Sequence, residues 1–273
     1  MQHQASINPV GKTALCVSFL RMWDAQSEQP VGQDYLAHRF STRDTIKEFG
    51  HFINEAYTMN NLAARHTLID QQVRDILLEN PRVNIISIGS GLETRAFRVN
   101  GGDWYEIDHP GLIDYKNQHL PADECPNPLQ RLPCDFSEGA LKKVLQGVPS
   151  RSSNVFIIEG VFYYLTPTEL ENTIAVIKNH SPYHRLICDH ISREFAFRFS
   201  TSFNHKISVL GATLHHENDI HLSEFGYHEL ARASVPLFAL RAKKQWLKHF
   251  IVRFFLPILR DGYSVHQFSL LGE

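Results

Sequence analysis

The stretch that decides the fold is SIGSGLETRAFRV, from Ser87 to Val99. It follows a short apolar run and places Gly89, Ser90 and Gly91 where a strand gives way to a helix, a turn that lets the backbone approach a ligand. Thr94 stands where a dinucleotide fold would have its third glycine, and Glu93 precedes it. A negative side chain there would repel a pyrophosphate. The loop therefore predicts a nucleoside without phosphates, with a cationic one as an option.

Segments typical of strands and helices alternate around this loop. Apolar runs predict strands over 83–88, 103–108, 129–134, 155–158 and 185–188, with helices between them. This alternation predicts an α/β fold with a mostly parallel, Rossmann-like sheet and helices on both faces. Further on, we expect helices over 227–233 and 241–250 and strands over 253–258 and 263–271. Asp261-Gly262 is a hairpin turn signal, so the sheet is predicted to end in an antiparallel hairpin.

Composition narrows the class of partner. The chain has 273 residues and a net charge of −2, which indicates no attraction to nucleic acid or to a membrane and leaves a small molecule as the expected partner. The four cysteines are far apart, so neither a disulfide framework nor a zinc site is expected, and with no signal segment the interpretation is a cytoplasmic protein. We interpret 1–273 as one domain, with 1–55 as a helical lid and 190–250 as a substrate-side insertion.

A His-rich segment within that insertion raises the question of a metal. It contains His215, His216, Glu217, Asp219, His221, Glu224 and His228. The spacing matches no familiar ligand pattern. We therefore expect no metal, and interpret the segment as an exposed polar loop or a wall of the acceptor pocket.

Acidic residues end three of the predicted strands: Asp108, Asp135 and Glu159. Ligands of open α/β sheets bind beyond the carboxyl ends of the strands. Asp108 could accept hydrogen bonds from ribose hydroxyls, Asp135 could receive the adenine amino group with Phe136 against the ring, and Glu159, before Gly160, could face a positive group. S-adenosylmethionine fits this set, because it has adenine, ribose, a sulfonium and an ammonium but no phosphate. The alternatives are an ordinary turn and aspartates that cap helices, although a carboxylate ending an apolar run is costly to bury alone.

Six segments together resemble the leucine carboxyl methyltransferase-like group of class I S-adenosylmethionine-dependent methyltransferases. This group includes protein phosphatase methyltransferases and bacterial polyketide O-methyltransferases. The segments stand in family order up to about residue 190 and are GKTAL (11–15), AARHTLID (63–70), SIGSGLETRAFRV (87–99), WYEIDHP (104–110), LPCDF (132–136) and EGVFYYLTPTEL (159–170). The resemblance implies a class I methyltransferase sheet and S-adenosylmethionine as the cofactor.

The resemblance also implies roles for individual residues. The Gly89-Ser90-Gly91 loop would approach the methionine part and the ribose, Asp108 would hold the ribose, and Asp135 with Phe136 would hold the adenine. The resemblance places Arg65 against the cofactor's carboxylate and Glu159, before Gly160, near its amino group. It also implies that Lys12 reaches over the cofactor and that Tyr164 borders the transferred methyl. Without the family, Arg65 would be interpreted as a surface residue and Tyr163 and Tyr164 as core aromatics. Glu93 departs from the usual Asp of the family, and the short tail indicates a small or closed acceptor pocket.

Three functions compete. The first is methyl transfer to a carboxylate or hydroxyl of a small molecule, with natural-product biosynthesis as one setting. The sulfonium is already an activated electrophile, so the protein mainly positions the acceptor. A carboxylate needs no general base, whereas a hydroxyl calls for one such as a histidine. Tyr164, and Tyr163 with it, could solvate the sulfonium.

The second function is cyclisation of the cofactor to azetidine-2-carboxylate and methylthioadenosine, with Asn127 and Tyr164 holding the amine and the sulfonium. Asn127 has a simpler interpretation as a turn residue before Pro128. The third is a binding module without turnover.

Overall fold

The computed structural model describes residues 7–150, 154–215 and 221–270. Its seven strands are β1 (Asn84–Ile88), β2 (Asp103–Asp108), β3 (Leu129–Pro133), β4 (Asn154–Ile158), β5 (His184–Ile191), β6 (Tyr227–Ser234) and β7 (Tyr263–Leu270). The α-helices are α1 (Pro9–Ala25), α2 (Arg43–Phe49), α3 (Ala56–Glu79), α4 (Arg95–Arg98), α5 (Pro110–His119), α6 (Ala140–Leu145), α7 (Pro167–His180), α8 (Arg193–Phe199), α9 (Thr201–Val209), α10 (Val235–Ala242), α11 (Trp246–Phe255) and α12 (Pro257–Asp261).

The strands form one sheet in the order β3-β2-β1-β4-β5-β7-β6. The first five are parallel, and β7 runs antiparallel to both of its neighbours. The predicted α/β sheet with an antiparallel end is therefore confirmed. Ile88 pairs with Ile107, and Ser87 with Ile157. This register brings the carboxyl ends of β1, β2 and β4 to one edge.

The apolar run of β1 reflects burial on both faces of the sheet, as expected for a central parallel strand. Ile85 packs with Val155 and Ile157 under helix α3, whereas Ile86 and Ile88 pack in a second cluster on the opposite face. A third apolar cluster joins α1 and α2 to the Gly-rich loop through Leu92 and to α5. Helices α1 and α2 are thus anchored to the edge that carries the loop.

The predicted hairpin is wrong in its first strand. Residues 253–255 belong to α11 and residues 257–258 to α12, and the sheet partner of β7 on that side is β6, over 227–234, where a helix was expected. Pro257 begins α12, since proline is well suited to the first turn of a helix. Gly262 has φ −76°, a right-handed value, so Asp261-Gly262 ends a helix and does not form the turn of a hairpin.

Two observations bear on the wider organisation of the chain. Within the parts that the structure describes, no helix combines the length and apolar character needed to cross a membrane. Residues of α1, in the expected lid, and of α8 and α9, in the expected insertion, line the same cavity beyond the strand ends. The division into lid and insertion stays a prediction, and these positions are compatible with it.

Candidate functional site

The Gly-rich loop after β1 is fixed by its backbone. The N–H groups of Gly89 and Ser90 both donate to the carbonyl of Ile107, at 2.9 and 3.1 Å. Gly89 and Gly91 have φ of 68° and 51°, the left-handed region that favours glycine. A Cβ at Gly89 would lie 2.4 Å from Cγ2 of Val161. Gly89 is therefore required both by backbone angle and by the close approach of the loop after β4.

Asp108 connects this loop to the second strand. Its carboxylate accepts from the N–H of Gly91 at 2.6 Å and from the N–H of His109 at 2.7 Å. Burial raises the pKa of Asp108, and the two backbone hydrogen bonds oppose that rise. Its interpretation as the cap of the next helix is wrong, because His109 occupies the cap of α5. Each oxygen keeps acceptor capacity toward the cavity.

Asp135 and Phe136 follow β3 and form one wall of the same cavity. Asp135 accepts from the N–H and the hydroxyl of Ser137, and these bonds lower the pKa of Asp135. Phe136 has φ 57° and is 44% exposed. A bulky residue in the left-handed region is strained, and such strain is concentrated at functional sites. The chain holds a half-exposed aromatic ring here at an energetic cost.

Glu159 lies at the centre of an ion-pair cluster behind the cavity. Its two oxygens accept from Nε of Arg65 at 3.0 Å and from Nη2 of Arg95 at 2.8 Å. His66 and these arginines hold the pKa of Glu159 well below its usual range, against the effect of burial. Glu159 is therefore not buried without a partner, because arginines from α3 and α4 compensate its charge.

Sequence reasoning missed Asp189, which ties three cavity groups together. This carboxylate is 1% exposed. It accepts from Nη1 of Arg65 at 3.1 Å, from the hydroxyl of Tyr163 at 2.8 Å and from the N–H of Gly160 at 2.6 Å. Asp189 follows the predicted fifth strand, 185–188, so the rule that identified Asp108 and Glu159 would have found it as well.

Further charged residues lie buried beneath the loop. Arg95 is fully buried and also donates to Asp70 at 2.7 Å, while Arg21 donates to the carbonyl of Leu92 at 2.7 Å. Burial lowers the pKa of His66 to about 4, so its ring is neutral at neutral pH. No local pattern in the sequence predicts this layer, because these residues come from three separate helices, α1, α3 and α4.

Glu93 belongs to that layer, so the expected repulsion of a pyrophosphate by this side chain is wrong. It is 5% exposed and pairs with Arg95, and burial raises the pKa of Glu93. Moreover, α4 has only four residues and starts at Arg95. Repulsion of a pyrophosphate by a free Glu93 at a helix start is therefore not the reason for selectivity. The acidic character of the cavity therefore rests on Asp108 and Asp135, because both oxygens of Glu159 are held in ion pairs.

Beyond the turn that carries Tyr163 and Tyr164, after β4, the cavity becomes apolar. Tyr164 donates to the hydroxyl of Thr13 on α1 at 3.1 Å, and Tyr163 is held by Asp189. The apolar walls come from α1, α8, α9 and the segment after α9, and they include Val17, Phe195, Phe199, Phe203, Ile207 and Leu214. The site thus has a polar half at the strand ends and an apolar half under the helices.

Most of the predicted site residues line this single cavity of about 370 Å³. They are Arg65, Gly89, Ser90, Gly91, Asp108, Asp135, Phe136, Glu159, Gly160, Tyr163 and Tyr164. Lys12 is not among the lining residues, although Gly11 and Thr13 beside it are. His109 and Tyr57 also line the cavity, although neither is predicted as a site residue from the sequence.

Asn127 lies elsewhere, before β3 and so away from the carboxyl ends of the strands. Its amide donates to the carbonyls of Ala96 and Val99, at 2.6 and 2.7 Å, and accepts from the N–H of Gly101 at 2.8 Å. It is not among the residues that line the cavity. The structure does not place it to hold a ligand amine, and its contacts match the interpretation as a turn residue.

The His-rich segment is only partly visible, since His216, Glu217 and Asp219 lie outside the described residues. The backbone N–H of His215 donates to the carbonyl of Tyr163, next to the cavity. No group of three or more His, Cys, Asp or Glu placed to hold a metal occurs in the described ranges. The described cysteines Cys16, Cys125, Cys134 and Cys188 carry free thiols.

The fold and the site define a class: an open α/β sheet with an antiparallel β7, a glycine loop after β1 and an acidic residue after β2. Solved structures with this fold include a DUF574 family protein from Streptomyces avermitilis MA-4680, with a TM-score of 0.60 and 10% identity over 92% of this chain and 95% of that one. A second, from Thermobifida fusca YX and named as a methyltransferase, has a TM-score of 0.55 and 13% identity over 92% and 93%. At these identities the likeness shows the fold alone.

The family follows from the sequence match. The family model of leucine carboxyl methyltransferases matches residues 14–178. The chain therefore belongs to the leucine carboxyl methyltransferase family, and the expected class of S-adenosylmethionine-dependent methyltransferase is confirmed at the level of the family.

Curated relatives agree with the family assignment. A protein of Parafrankia sp. (strain EAN1pec), named as an S-adenosyl-L-methionine-dependent methyltransferase, is 25% identical over 67% of this chain and 64% of its own. One with the same name from Mycobacterium bovis (strain BCG / Pasteur 1173P2) is 27% identical over 59% of each. Both matches span less than two thirds of the relative's own length.

Proposed function

We propose that this protein binds S-adenosylmethionine at the strand ends and catalyses methyl transfer to the carboxylate of a small apolar molecule. The single observation that carries the proposal is the composition of the cavity. One half offers a glycine loop and acidic groups, and the arginines among its described lining residues, Arg21 and Arg65, are held in ion pairs. The other half is apolar. A phosphate-free, cationic nucleoside matches the first half, and a hydrophobic acceptor matches the second.

The residues present fit this cofactor. Asp108 would accept from the ribose hydroxyls with the acceptor capacity that its two backbone bonds leave. Phe136 and Asp135 would hold the adenine, and Arg65 would face the cofactor's carboxylate. The hydroxyl of Ser90 is buried, lines the cavity and has no hydrogen-bond partner in the structure, as expected of a group that awaits a ligand. When bound, the cofactor supplies an activated methyl group on a sulfonium.

The choice of a carboxylate acceptor rests on the acid–base groups near the apolar half. Burial raises the pKa of Tyr57 to about 12 and raises that of Tyr163 and Tyr164, so these phenols stay protonated at neutral pH. They can donate hydrogen bonds but are poor bases. Among the described residues that line the cavity, the one histidine is His109, which follows β2 on the Asp108 side. An acceptor already ionised at neutral pH needs no base, and a carboxylate is such a group.

The rest of the acceptor is proposed to be apolar and aromatic or branched. Phe195, Phe199 and Phe203 line this half from α8 and α9. Aromatic rings bury large apolar areas and pack edge to face with other rings. A small hydrophobic carboxylic acid therefore suits the walls better than a polar substrate. We further propose a cytoplasmic protein whose ligands are small molecules, as the composition indicates.

The test uses the purified chain, S-adenosylmethionine labelled in its methyl group, and matched pairs of aryl or alkyl carboxylic acids and the corresponding alcohols. We expect S-adenosylhomocysteine to form only with the acids. The labelled product should release methanol in mild base, as a methyl ester does. A label that resists base would indicate an ether and contradict the carboxylate assignment.

Cyclisation of the cofactor is distinguished by the same experiment. It would release methylthioadenosine without any acceptor. The structure offers this alternative no amine holder at Asn127, since that residue lies outside the cavity. Binding of the cofactor with no product under any condition would instead favour a module without turnover. Either outcome would overturn the proposed function.

A further inference from the structure

Helix α11 presents its apolar side to solvent. At about 100° per residue, Trp246, Leu247, Phe250, Ile251, Phe254 and Phe255 fall within one arc of about 180°. All six are exposed, from 39% for Ile251 to 74% for Leu247. Val252, on the opposite side, is the buried residue of this helix. The helix packs against α10 and α12 through its narrow side, and its wide apolar arc points outward.

Positive charges border this arc on both sides. By the same helical spacing, Arg253 lies about 20° before Trp246, and Lys248 lies about 20° after Phe255. Both cations are exposed. Residues 235–260 contain six Lys or Arg and no Asp or Glu, although the whole chain has a net charge of −2. Two of the six form ion pairs, Lys243 with Asp24 and Arg260 with Asp261, which leaves Arg241, Lys244, Lys248 and Arg253. The balanced charge of the chain therefore hides a local cationic surface.

We propose that α11 docks on an anionic lipid surface, with its apolar arc in the headgroup–acyl boundary and its flanking cations on lipid phosphates. An apolar face rich in Trp, Phe and Leu with Lys and Arg at its borders is the pattern of helices that lie in a membrane interface. Trp246 at the edge of the arc is well placed, because indole rings are favoured at headgroup level. Lys and Arg can keep their charges in water while their stems cover apolar surface.

A second copy of the chain fits this face less well. Area alone does not decide between the two occupants. The four aromatic residues of the arc are each more than half exposed, so with Leu247 and Ile251 the arc offers roughly 600–800 Å², close to the roughly 800 Å² that a stable interface needs from each partner. Charge does decide, because two copies meeting on α11 would bring Lys248 and Arg253 against the same cations of the partner, and like charges in contact disfavour association. Anionic lipid does not have this disadvantage.

The experiment is co-sedimentation of the full chain with vesicles of phosphatidylcholine alone or of equal parts phosphatidylcholine and phosphatidylglycerol. We expect binding to the anionic vesicles, weakened by added salt. Phe250→Ser/Phe254→Ser should lower the partition coefficient roughly tenfold for each ring, since about half of each ring is available for burial. Lys248→Glu/Arg253→Glu should remove the preference for anionic vesicles.

Matched controls make the same kinds of substitution on other exposed surfaces of the chain. Leu78→Ser removes an apolar side chain that is 84% exposed on α3, and Lys142→Glu/Lys143→Glu reverses two exposed cations on α6. Both should bind vesicles like the original chain, and circular dichroism should show all variants folded. The proposal is overturned if the chain does not sediment with anionic vesicles or if the α11 variants bind unchanged. It is also overturned if ultracentrifugation shows a dimer that Phe250→Ser/Phe254→Ser dissociates.

Discussion

Replacement of Asp108 by asparagine tests the cofactor site at the residue where the loop and the ribose position meet. Asparagine preserves the size of the side chain but keeps only one acceptor oxygen. Its amide nitrogen would face a backbone N–H, either that of Gly91 or that of His109, which now lie 2.6 and 2.7 Å from the carboxylate. Two donors would then confront each other. The substitution therefore removes one ribose acceptor and one backbone contact together.

The expected loss of affinity follows from those contacts. A hydrogen bond to a charged group is worth about 1.5–3 kcal/mol. Loss of the charge weakens both ribose bonds, so we expect about 3 kcal/mol in total, a rise of roughly 100-fold in the Kd for S-adenosylmethionine. Because burial raises the pKa of Asp108 and the ligand needs the ionised form, affinity in the original chain should fall with decreasing pH, beginning above the range of an ordinary aspartate.

The assay is calorimetric titration of S-adenosylmethionine into the original chain, Asp108→Asn and Asp103→Asn. The last makes the same change at the opposite end of β2, where the side chain does not line the cavity. We expect Asp103→Asn to bind like the original. A folded Asp108→Asn whose Kd stays within about threefold of the original would refute the assigned role, since one lost charged hydrogen bond alone exceeds that change.

Three further predictions follow from single contacts. Gly89→Ala should lower the free energy of unfolding by about 2–4 kcal/mol in urea, because left-handed backbone strain adds to the clash with Val161. Gly139 is also left-handed but has open space around it, so Gly139→Ala should lower that free energy by about 1 kcal/mol. Equal losses in the two variants would contradict the close approach of Val161 to Gly89. Asp189→Asn should lower kcat at least tenfold, roughly the effect of one charged hydrogen bond, because the groups that Asp189 holds are misplaced. The melting temperature distinguishes this effect from unfolding. An unchanged kcat would show that Asp189 has no positioning role. Burial lowers the pKa of His184 to about 4, so as pH falls below about 6.5 the unfolded chain takes up a proton that the folded chain does not. The free energy of unfolding of the original chain should therefore fall by about 2 kcal/mol between pH 7 and pH 5 because of this group. In His184→Gln the decrease over the same range should be smaller by that amount.

The strand ends were predictable because their signals are local. An apolar run such as Ile85–Ile88 stops at a glycine or an acid, and a parallel sheet necessarily gathers such ends at one edge. Asp108 and Glu159 were identified in this way, and Asp189 could have been. Asn127 was misplaced because the family analogy gave a role to a residue whose amide braces a loop.

The remainder depends on pairing between distant segments, which local patterns do not encode. The strand over 227–234 is stabilised by β7, whose Tyr263 lies 29 residues beyond Ser234. Arg95 and Glu159 pair across 64 residues, so each looked like an isolated charge in the sequence. The apolar run from residue 253 was predicted as a strand, but residues 253–255 continue helix α11, whose Trp246 and Phe254 face solvent.

A crystal structure with S-adenosylhomocysteine would show whether the cavity at the strand ends is the cofactor site. We expect ribose hydroxyls within hydrogen-bond distance of Asp108, adenine against Phe136 and the amino-acid carboxylate at Arg65. A ligand bound elsewhere on the chain, or an empty cavity at saturating ligand, would contradict this assignment.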